Sequence, residues 1–110
     1  MKKKKIIIPI FHGELTMIQT KKKKWSKVGE KYKMQIGDFS AVVWKDEKQK
    51  FLSLFVAFNG KPKSDIIAHE AVHLVNHVFI NKGIEPCRYN DENQAYLTGW
   101  FVKQIQKFIK

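Results

Sequence analysis

In the first half of the chain, short hydrophobic runs bounded by polar residues predict β-strands, and "ELTMIQT" (14–20) shows the period of two that strands have. Four strands are predicted, over "IIIPIF" (6–11), "ELTMIQT" (14–20), "FSAVVW" (39–44) and "KFLSLFVAF" (50–58). The polar segment "KDEKQ" (45–49) separates the last two, whose β-branched and aromatic content predicts an antiparallel hairpin. Between the second and third strands the sequence predicts a short helix over about residues 24–34, although Gly29 weakens that prediction.

After "NGKPK" (59–63) the hydrophobic pattern changes to the period of an α-helix. A helix is predicted over about residues 65–81, with Ser64 as its N-cap. Gly83 is predicted to end this helix, because glycine adopts the left-handed conformation that commonly closes a helix.

A second helix is predicted to begin at a cap formed by Asn90 or Asp91 and to continue to about Ile109. Because the connection between the two helices is short, we expect them to pack as antiparallel neighbours. The second helix carries one apolar stripe, which we expect to lie in the core: Trp100, Phe101, Ile105, Phe108 and Ile109.

These elements predict an α+β fold in which a small antiparallel sheet of about four strands packs on the two helices. The length of 110 residues suits a single domain over residues 1–110. The single cysteine, Cys87, allows no internal disulfide and favours a reducing compartment, so we expect a cytoplasmic protein. No run approaches the roughly 18 to 20 apolar residues that span a bilayer, so we expect no membrane partner.

The formal net charge of +11 raises the question of nucleic-acid binding. Residues 1–60 hold fourteen lysines against five acidic residues, whereas residues 61–110 hold seven basic and five acidic residues. Arg88 is the one arginine, and sequence-reading surfaces favour the planar arginine fork. The lysine-rich N-terminal half therefore predicts either nonspecific attraction to nucleic acid or plain solubility.

Two histidines bracket a glutamate in "DIIAHEAVHLVNHVF" (65–79). On a helix, residues four apart project from the same side of successive turns, so His69 and His73 can bind one Zn²⁺ ion. Glu70 is then placed to take a proton from a water molecule on the metal, as in HExxH sites. The alternative is an amphipathic helix whose histidines are only hydrogen-bonded.

Such a site needs a third ligand, and Glu92 in "NDENQAYLTGW" (90–100) is the candidate. If the two helices run antiparallel, a carboxylate on the inner face of the second helix completes a set of His69, His73 and Glu92. Ala95 and Gly99 follow on the same predicted face, where small residues would let the helices approach closely.

"IAHEAVHLVNHVF" (67–79) followed by "NDENQAYLTGW" resembles the gluzincin class of zinc metallopeptidases. The chain is similar in length and order to minigluzincins, and to small metallopeptidase-like proteins of phages and mobile elements. The resemblance implies a zincin-like fold, with His69, His73 and Glu92 as ligands and Glu70 as the base. The lysine-rich, arginine-poor composition suits an AT-rich genome and so a bacterial or phage-infected host cell.

Larger members of the class add a tyrosine or histidine that stabilises the oxyanion. Tyr96 and His12 are the candidates here, although a structural role is favoured for each. His77 follows His69 and His73 at the same spacing of four residues. It is a candidate hydrogen-bond partner of a ligand, although a packing role is the favoured interpretation. Asp91 is placed either to orient a ligand histidine or to cap the second helix.

The sequence therefore predicts a zinc-dependent metallopeptidase that hydrolyses peptide bonds with a water molecule activated by Glu70. A peptide substrate is expected to pair with an exposed sheet edge, for which "KFLSLFVAF" (50–58) is the candidate. Two alternatives stay open: a zinc-containing binding protein without useful hydrolysis, and a basic protein associated with nucleic acid.

Overall fold

The computed structural model describes residues 1–89 and 91–109 and has an α+β fold, as predicted. Two strands come first, followed by a short 3-10 turn at Lys22–Lys24. The strands are β1 (Lys2–Ile8), β2 (Gly13–Thr20), β3 (Ala41–Lys45) and β4 (Ser53–Asn59). The helices are α1 (Trp25–Tyr32), α2 (Ser64–Lys82) and α3 (Glu92–Ile109). The last three strands, the short helix and the two long helices fall close to their predicted positions, whereas β1 lies earlier than the predicted 6–11.

The four strands form one sheet in the order β1-β2-β4-β3. β1 pairs with β2 and β3 pairs with β4 in antiparallel fashion, whereas β2 and β4 are parallel. The sheet is therefore mixed, and the prediction of a purely antiparallel sheet was wrong. The reason is that α1 and β3 lie between β2 and β4 in sequence, which gives the chain enough length to return in the same direction.

The strand order also corrects the predicted substrate edge. β4 lies between β2 and β3, so the segment "KFLSLFVAF" (50–58) is interior and not exposed for pairing. The edges of the sheet are β1 and β3, and β3 is the edge beside α2.

β1 begins earlier than the hydrophobic pattern predicted, because the lysine run at its start belongs to the strand. Lysines on an edge strand oppose pairing with another chain. Pro9 and the residues after it form the turn to β2 instead of continuing the strand. In that turn Ile10 (φ 71°) and His12 (φ 52°) have left-handed backbones.

Hydrophobic residues fill both faces of the sheet. The helices α2 and α3 cover one face, and α1 lies on the other. The first core includes, among others, Leu15, Met17, Leu54, Val56, Phe58, Leu74, Val78, Leu97, Phe101 and Ile105. The second consists of Ile18, Trp25, Val28, Ile36 and Ala57. Gly29 within α1 allows the chain to pack closely here, because a Cβ at this position would lie 2.8 Å from the carbonyl oxygen of Met34.

The ends of the long helices differ slightly from prediction. α2 begins at Ser64 itself, with Lys63 at the N-cap position and no side-chain cap bond, so the Ser64 cap was wrong by one residue. Gly83 ends α2 with a left-handed backbone (φ 68°), as predicted. At the start of α3, the amide of Ala95 donates to the carbonyl of Asp91 at 2.9 Å, whereas Asn90 lies outside the described residues.

The apolar stripe of α3 is buried as predicted, with Trp100 half-buried at its margin. The predicted close approach through small residues was wrong, because Ala95 and Gly99 are both exposed. A Cβ on Gly99 would meet no atom within 4 Å. None of the helices in the described part of the chain is both long and apolar enough to cross a membrane.

Candidate metal centre

His69 and His73 lie on successive turns of α2 and bring their imidazoles together at its surface. Their Nε2 atoms are 3.1 Å apart, and the ring centroids are 4.8 Å apart. Two nitrogen ligands of a tetrahedral zinc ion, each at about 2.0 to 2.1 Å, are separated by about 3.3 Å. The two nitrogens therefore already stand at nearly the separation that one shared zinc ion requires.

Glu70 lies beside the two histidines but is buried, with 6% of its surface exposed. Potential ligand atoms of His69, Glu70 and His73 all lie within 4.8 Å of one another. The Oε2 atom of Glu70 is buried without a hydrogen-bond partner. A buried carboxylate oxygen without a partner is costly, and a cation or a bound water beside it would offset that cost. The three side chains therefore fit a metal ion.

Burial is the main influence on the ionisation of Glu70. It raises the pKa of Glu70 from the ordinary value of 4.5, while the positive charge on protonated His69 and His73 acts in the opposite direction. A carboxylate with a raised pKa is a stronger base, which is the property that proton abstraction needs.

A cleft of about 290 Å³ opens between α2 and the edge strand β3. Glu70, His73 and His77 line its helix side. Its other side is formed by Phe39 at the entrance to β3 and by the strand residues Ala41, Val42 and Val43. Glu70 and one of the paired histidines thus face an accessible space along a sheet edge.

No pattern in the sequence pointed to these β3 residues as part of a site, although the β-branched and aromatic content of "FSAVVW" (39–44) had predicted the strand. The sequence did not reveal the strand order, in which β3 pairs with β4 and lies at the edge of the sheet. Strand order depends on contacts between distant parts of the chain and is not written in any local pattern.

His77 lies on the same side of α2 as the cleft and is half-buried. Burial lowers its pKa, and the positive charges of Lys45 and His73 lower it further, against a smaller opposite effect of Glu47. The neutral imidazole is therefore favoured, and it can donate one hydrogen bond into the cleft. The role of His77 as a partner of a ligand stays a prediction, beside the favoured interpretation of packing.

Glu92 is the first residue of α3 and is exposed. The group formed by His69, Glu70 and His73 does not include it. The reason is the phase of the helix: nine residues at about 100° each place Glu92 about 180° from Phe101, which points into the core. Glu92 as the third ligand is therefore not confirmed and stays a prediction.

The remaining candidates also lie apart from the cleft. Asp91 and Tyr96 are exposed near the start of α3, and His12 is exposed in the turn between β1 and β2. None of the three lines the cleft or belongs to the group of potential ligands. Their predicted roles in the site stay predictions.

No known family model matches the sequence, and no curated protein or solved structure is significantly similar to it.

Proposed function

We propose that the protein is a zinc-dependent peptide hydrolase whose active site is the cleft between α2 and β3. One observation carries the proposal. The Nε2 atoms of His69 and His73 converge to 3.1 Å beside the buried carboxylate of Glu70, which has an oxygen without a partner. Two nitrogen ligands and an adjacent base are the parts that metal-assisted hydrolysis requires.

His69 and His73 would hold the metal, and Glu92 is the proposed third ligand. A zinc ion there supplies Lewis acidity, which polarises a carbonyl and makes water more acidic. Glu70 takes the proton of the attacking water and passes it to the leaving amine, for which its burial and raised pKa suit it. His77 supplies a neutral imidazole that can donate to the substrate from the helix side of the cleft.

The substrate is proposed to lie along β3. As an edge strand, β3 has backbone groups on one side that are available to an extended peptide. Because β3 residues and Glu70 line the same cleft, a peptide paired with β3 passes directly in front of the base. Phe39, which is 63% exposed at the entrance to β3, offers an apolar contact for a substrate side chain.

The second candidate function is a zinc-containing binding protein without useful hydrolysis. The exposed position of Glu92, outside the group of potential ligands, favours it. With two protein ligands, a metal ion is held less firmly and its geometry is less defined than with three.

The substitution Glu70→Gln separates the two functions. The substituted protein retains both histidines, so we expect it to bind zinc like the wild type. If the protein is an enzyme, we expect the substitution to lower the rate of peptide hydrolysis at least about a hundred-fold, because that is the contribution of a general base. Hydrolysis of a quenched fluorescent peptide library, followed with and without chelator, measures this. Equal turnover by the wild type and Glu70→Gln would exclude Glu70 as the base.

A further inference from the structure

Three aromatic side chains gather on the α1 side of the sheet. The rings of Trp44 and Phe55, which are cross-strand partners on β3 and β4, stack with centroids 5.0 Å apart and planes inclined by 8°. Tyr32, at the end of α1, contacts both at centroid distances of 5.1 and 5.3 Å. All three rings are only half-buried, so part of each is accessible to a ligand.

Lysines surround these rings. Lys3 and Lys31 lie over the ring of Tyr32, with Nζ atoms 6.0 and 5.6 Å from its centroid. Lys33 and Lys48 join the aromatic residues in lining a depression of about 470 Å³. We call this set the aromatic–lysine surface, and its members are Lys3, Lys31, Tyr32, Lys33, Trp44, Lys48 and Phe55.

Two acidic residues also line the depression, but both are engaged within the protein. Asp46 accepts a hydrogen bond from the amide of Lys48 at 3.0 Å, and Glu47 forms a 3.6 Å ion pair with Lys45. Because the lining contains four lysines (Lys31, Lys33, Lys45 and Lys48) against these two acidic residues, the depression has an excess of positive charge, to which Lys3 adds from β1.

The aromatic–lysine surface is separate from the metal centre. Trp44 packs with the α1 core, whereas Ala41 and Val43 pack with the α2–α3 core on the opposite face of the sheet. The cleft and the aromatic–lysine surface thus use the two faces of the same edge strand.

We propose that the aromatic–lysine surface binds single-stranded nucleic acid without sequence preference, independently of any metal. Half-exposed rings give bases a stacking partner, and lysines attract the phosphate backbone. Together they form the combination that single-strand binding uses. Lysines without arginine also suit attraction to phosphates more than reading of base edges.

A second group of lysines extends the positive surface. Lys21, Lys24 and Lys61 line a depression of about 630 Å³ near the start of α1, at the opposite end of that helix from Tyr32. The described residues that line it include no acidic side chain. A nucleic-acid backbone that binds at the aromatic–lysine surface and continues past α1 would meet further positive charge there.

The test measures binding of the full chain to a labelled oligothymidylate of about twelve nucleotides, by fluorescence anisotropy in the presence of chelator. Trp44→Leu removes one stacking ring, and we expect roughly ten-fold weaker binding. Lys31→Gln with Lys48→Gln removes two phosphate contacts, so we expect the slope of log affinity against log salt to flatten by about 1.4. Circular dichroism verifies folding, and Tyr32→Leu replaces Trp44→Leu if that variant unfolds.

The matched control is Lys103→Gln with Lys107→Gln, which removes the same charge from exposed positions on α3. We expect it to weaken binding less than the Lys31 and Lys48 pair and to leave the effect of Trp44→Leu unchanged. Equal loss in both lysine pairs, or unchanged binding in the aromatic variant, would overturn the proposal. Equally tight binding of duplex DNA, or of poly-glutamate with the same dependence on Trp44, would also overturn it.

Discussion

Glu70 shows at the scale of a single residue how the proposed chemistry opposes stability. The native state buries this carboxylate and raises its pKa above the ordinary value of 4.5, so folding favours the protonated form. The stabilising contribution of protonated Glu70 is therefore complete below pH 4.5 and is lost as the pH rises through the native pKa. At neutral pH the metal-free protein bears the cost of a buried negative charge.

It follows that Glu70→Gln stabilises the metal-free protein at neutral pH, because glutamine carries no charge to bury. The gain disappears at about pH 4, where the native carboxyl is protonated as well. Urea unfolding in chelator at the two pH values measures both free energies. A variant that is less stable than the wild type at neutral pH would show that the charge of Glu70 is satisfied without a metal.

Ile10 stores strain in the turn between β1 and β2. It is β-branched, it has a left-handed backbone (φ 71°), and its side chain is 76% exposed, so packing gains little in return. Ile10→Asn is expected to stabilise the protein by about 1 kcal/mol, because asparagine tolerates this conformation.

Thermal and urea unfolding of Ile10→Asn measure that gain. The control is Ile7→Asn, at a residue that is 70% exposed within β1, where asparagine removes β-propensity without relieving strain. We expect the control to be neutral or destabilising. A stabilisation of equal size in both variants would attribute the effect to lost surface hydrophobicity instead of backbone strain.

Among the elements, α3 is anchored by one face. Phe101 is fully buried in the core shared with α2, whereas Tyr96 is 62% exposed on another side of the same helix. We expect Phe101→Ala to lower the free energy of unfolding by about 3 to 5 kcal/mol. Tyr96→Ala is expected to stay within about 0.5 kcal/mol of the wild type. If chemical denaturation gave comparable losses of unfolding free energy for the two variants, α3 would not bury the side of the helix that contains Phe101.

A prediction on substrate binding concerns the edge strand β3. Phe39 lines the cleft and is exposed, so Phe39→Ala removes apolar contact area without opening the core. We expect KM for peptide hydrolysis to rise roughly ten-fold while bound zinc is unchanged. The control is Phe51→Ala, since Phe51 is similarly exposed but is not part of the cleft lining. Steady-state kinetics in which both variants match the wild type would place the substrate elsewhere.

For the whole molecule, local patterns predicted the elements but not their arrangement. The period of two identified β2, β-branched and aromatic content identified β4, and Gly83 marked the end of α2, because those signals lie within a few residues. The parallel pairing of β2 with β4 and the edge position of β3 arise from contacts between distant segments. No periodicity within a strand contains that information.

The candidate site shows the same difference between local signals and contacts of distant segments. Spacing along one helix sufficed to bring His69 and His73 together, since residues four apart share a side. The role of Glu92 depends on the orientation of a second helix relative to the first, and Ala95 and Gly99, which had suggested a close approach of the helices, are exposed. The buried side of α3 that contains Phe101 lies about 180° from Glu92 around the helix, so the place of Glu92 in the site stays a prediction.

A ligand that binds only the native state stabilises the whole chain. Zinc present at about a hundred times its dissociation constant is expected to add about 2.7 kcal/mol to the free energy of unfolding, and chelator should remove this increment. His73→Ala is expected to abolish the difference between zinc and chelator. Thermal unfolding of the two proteins in both conditions measures it, and an equal zinc effect in His73→Ala would place the metal elsewhere.

Elemental analysis of the purified protein tests whether His69 and His73 hold one metal ion beside Glu70, with Glu92 as the proposed third ligand. We expect one zinc per chain in the wild type, loss of that zinc in both His73→Ala and Glu92→Ala, and retention in the control Glu85→Ala, whose side chain is exposed in the connection between α2 and α3. Zinc retained in Glu92→Ala would remove that residue from the site. A wild-type protein that binds no zinc, even when purified with zinc present, would contradict the proposed hydrolytic centre.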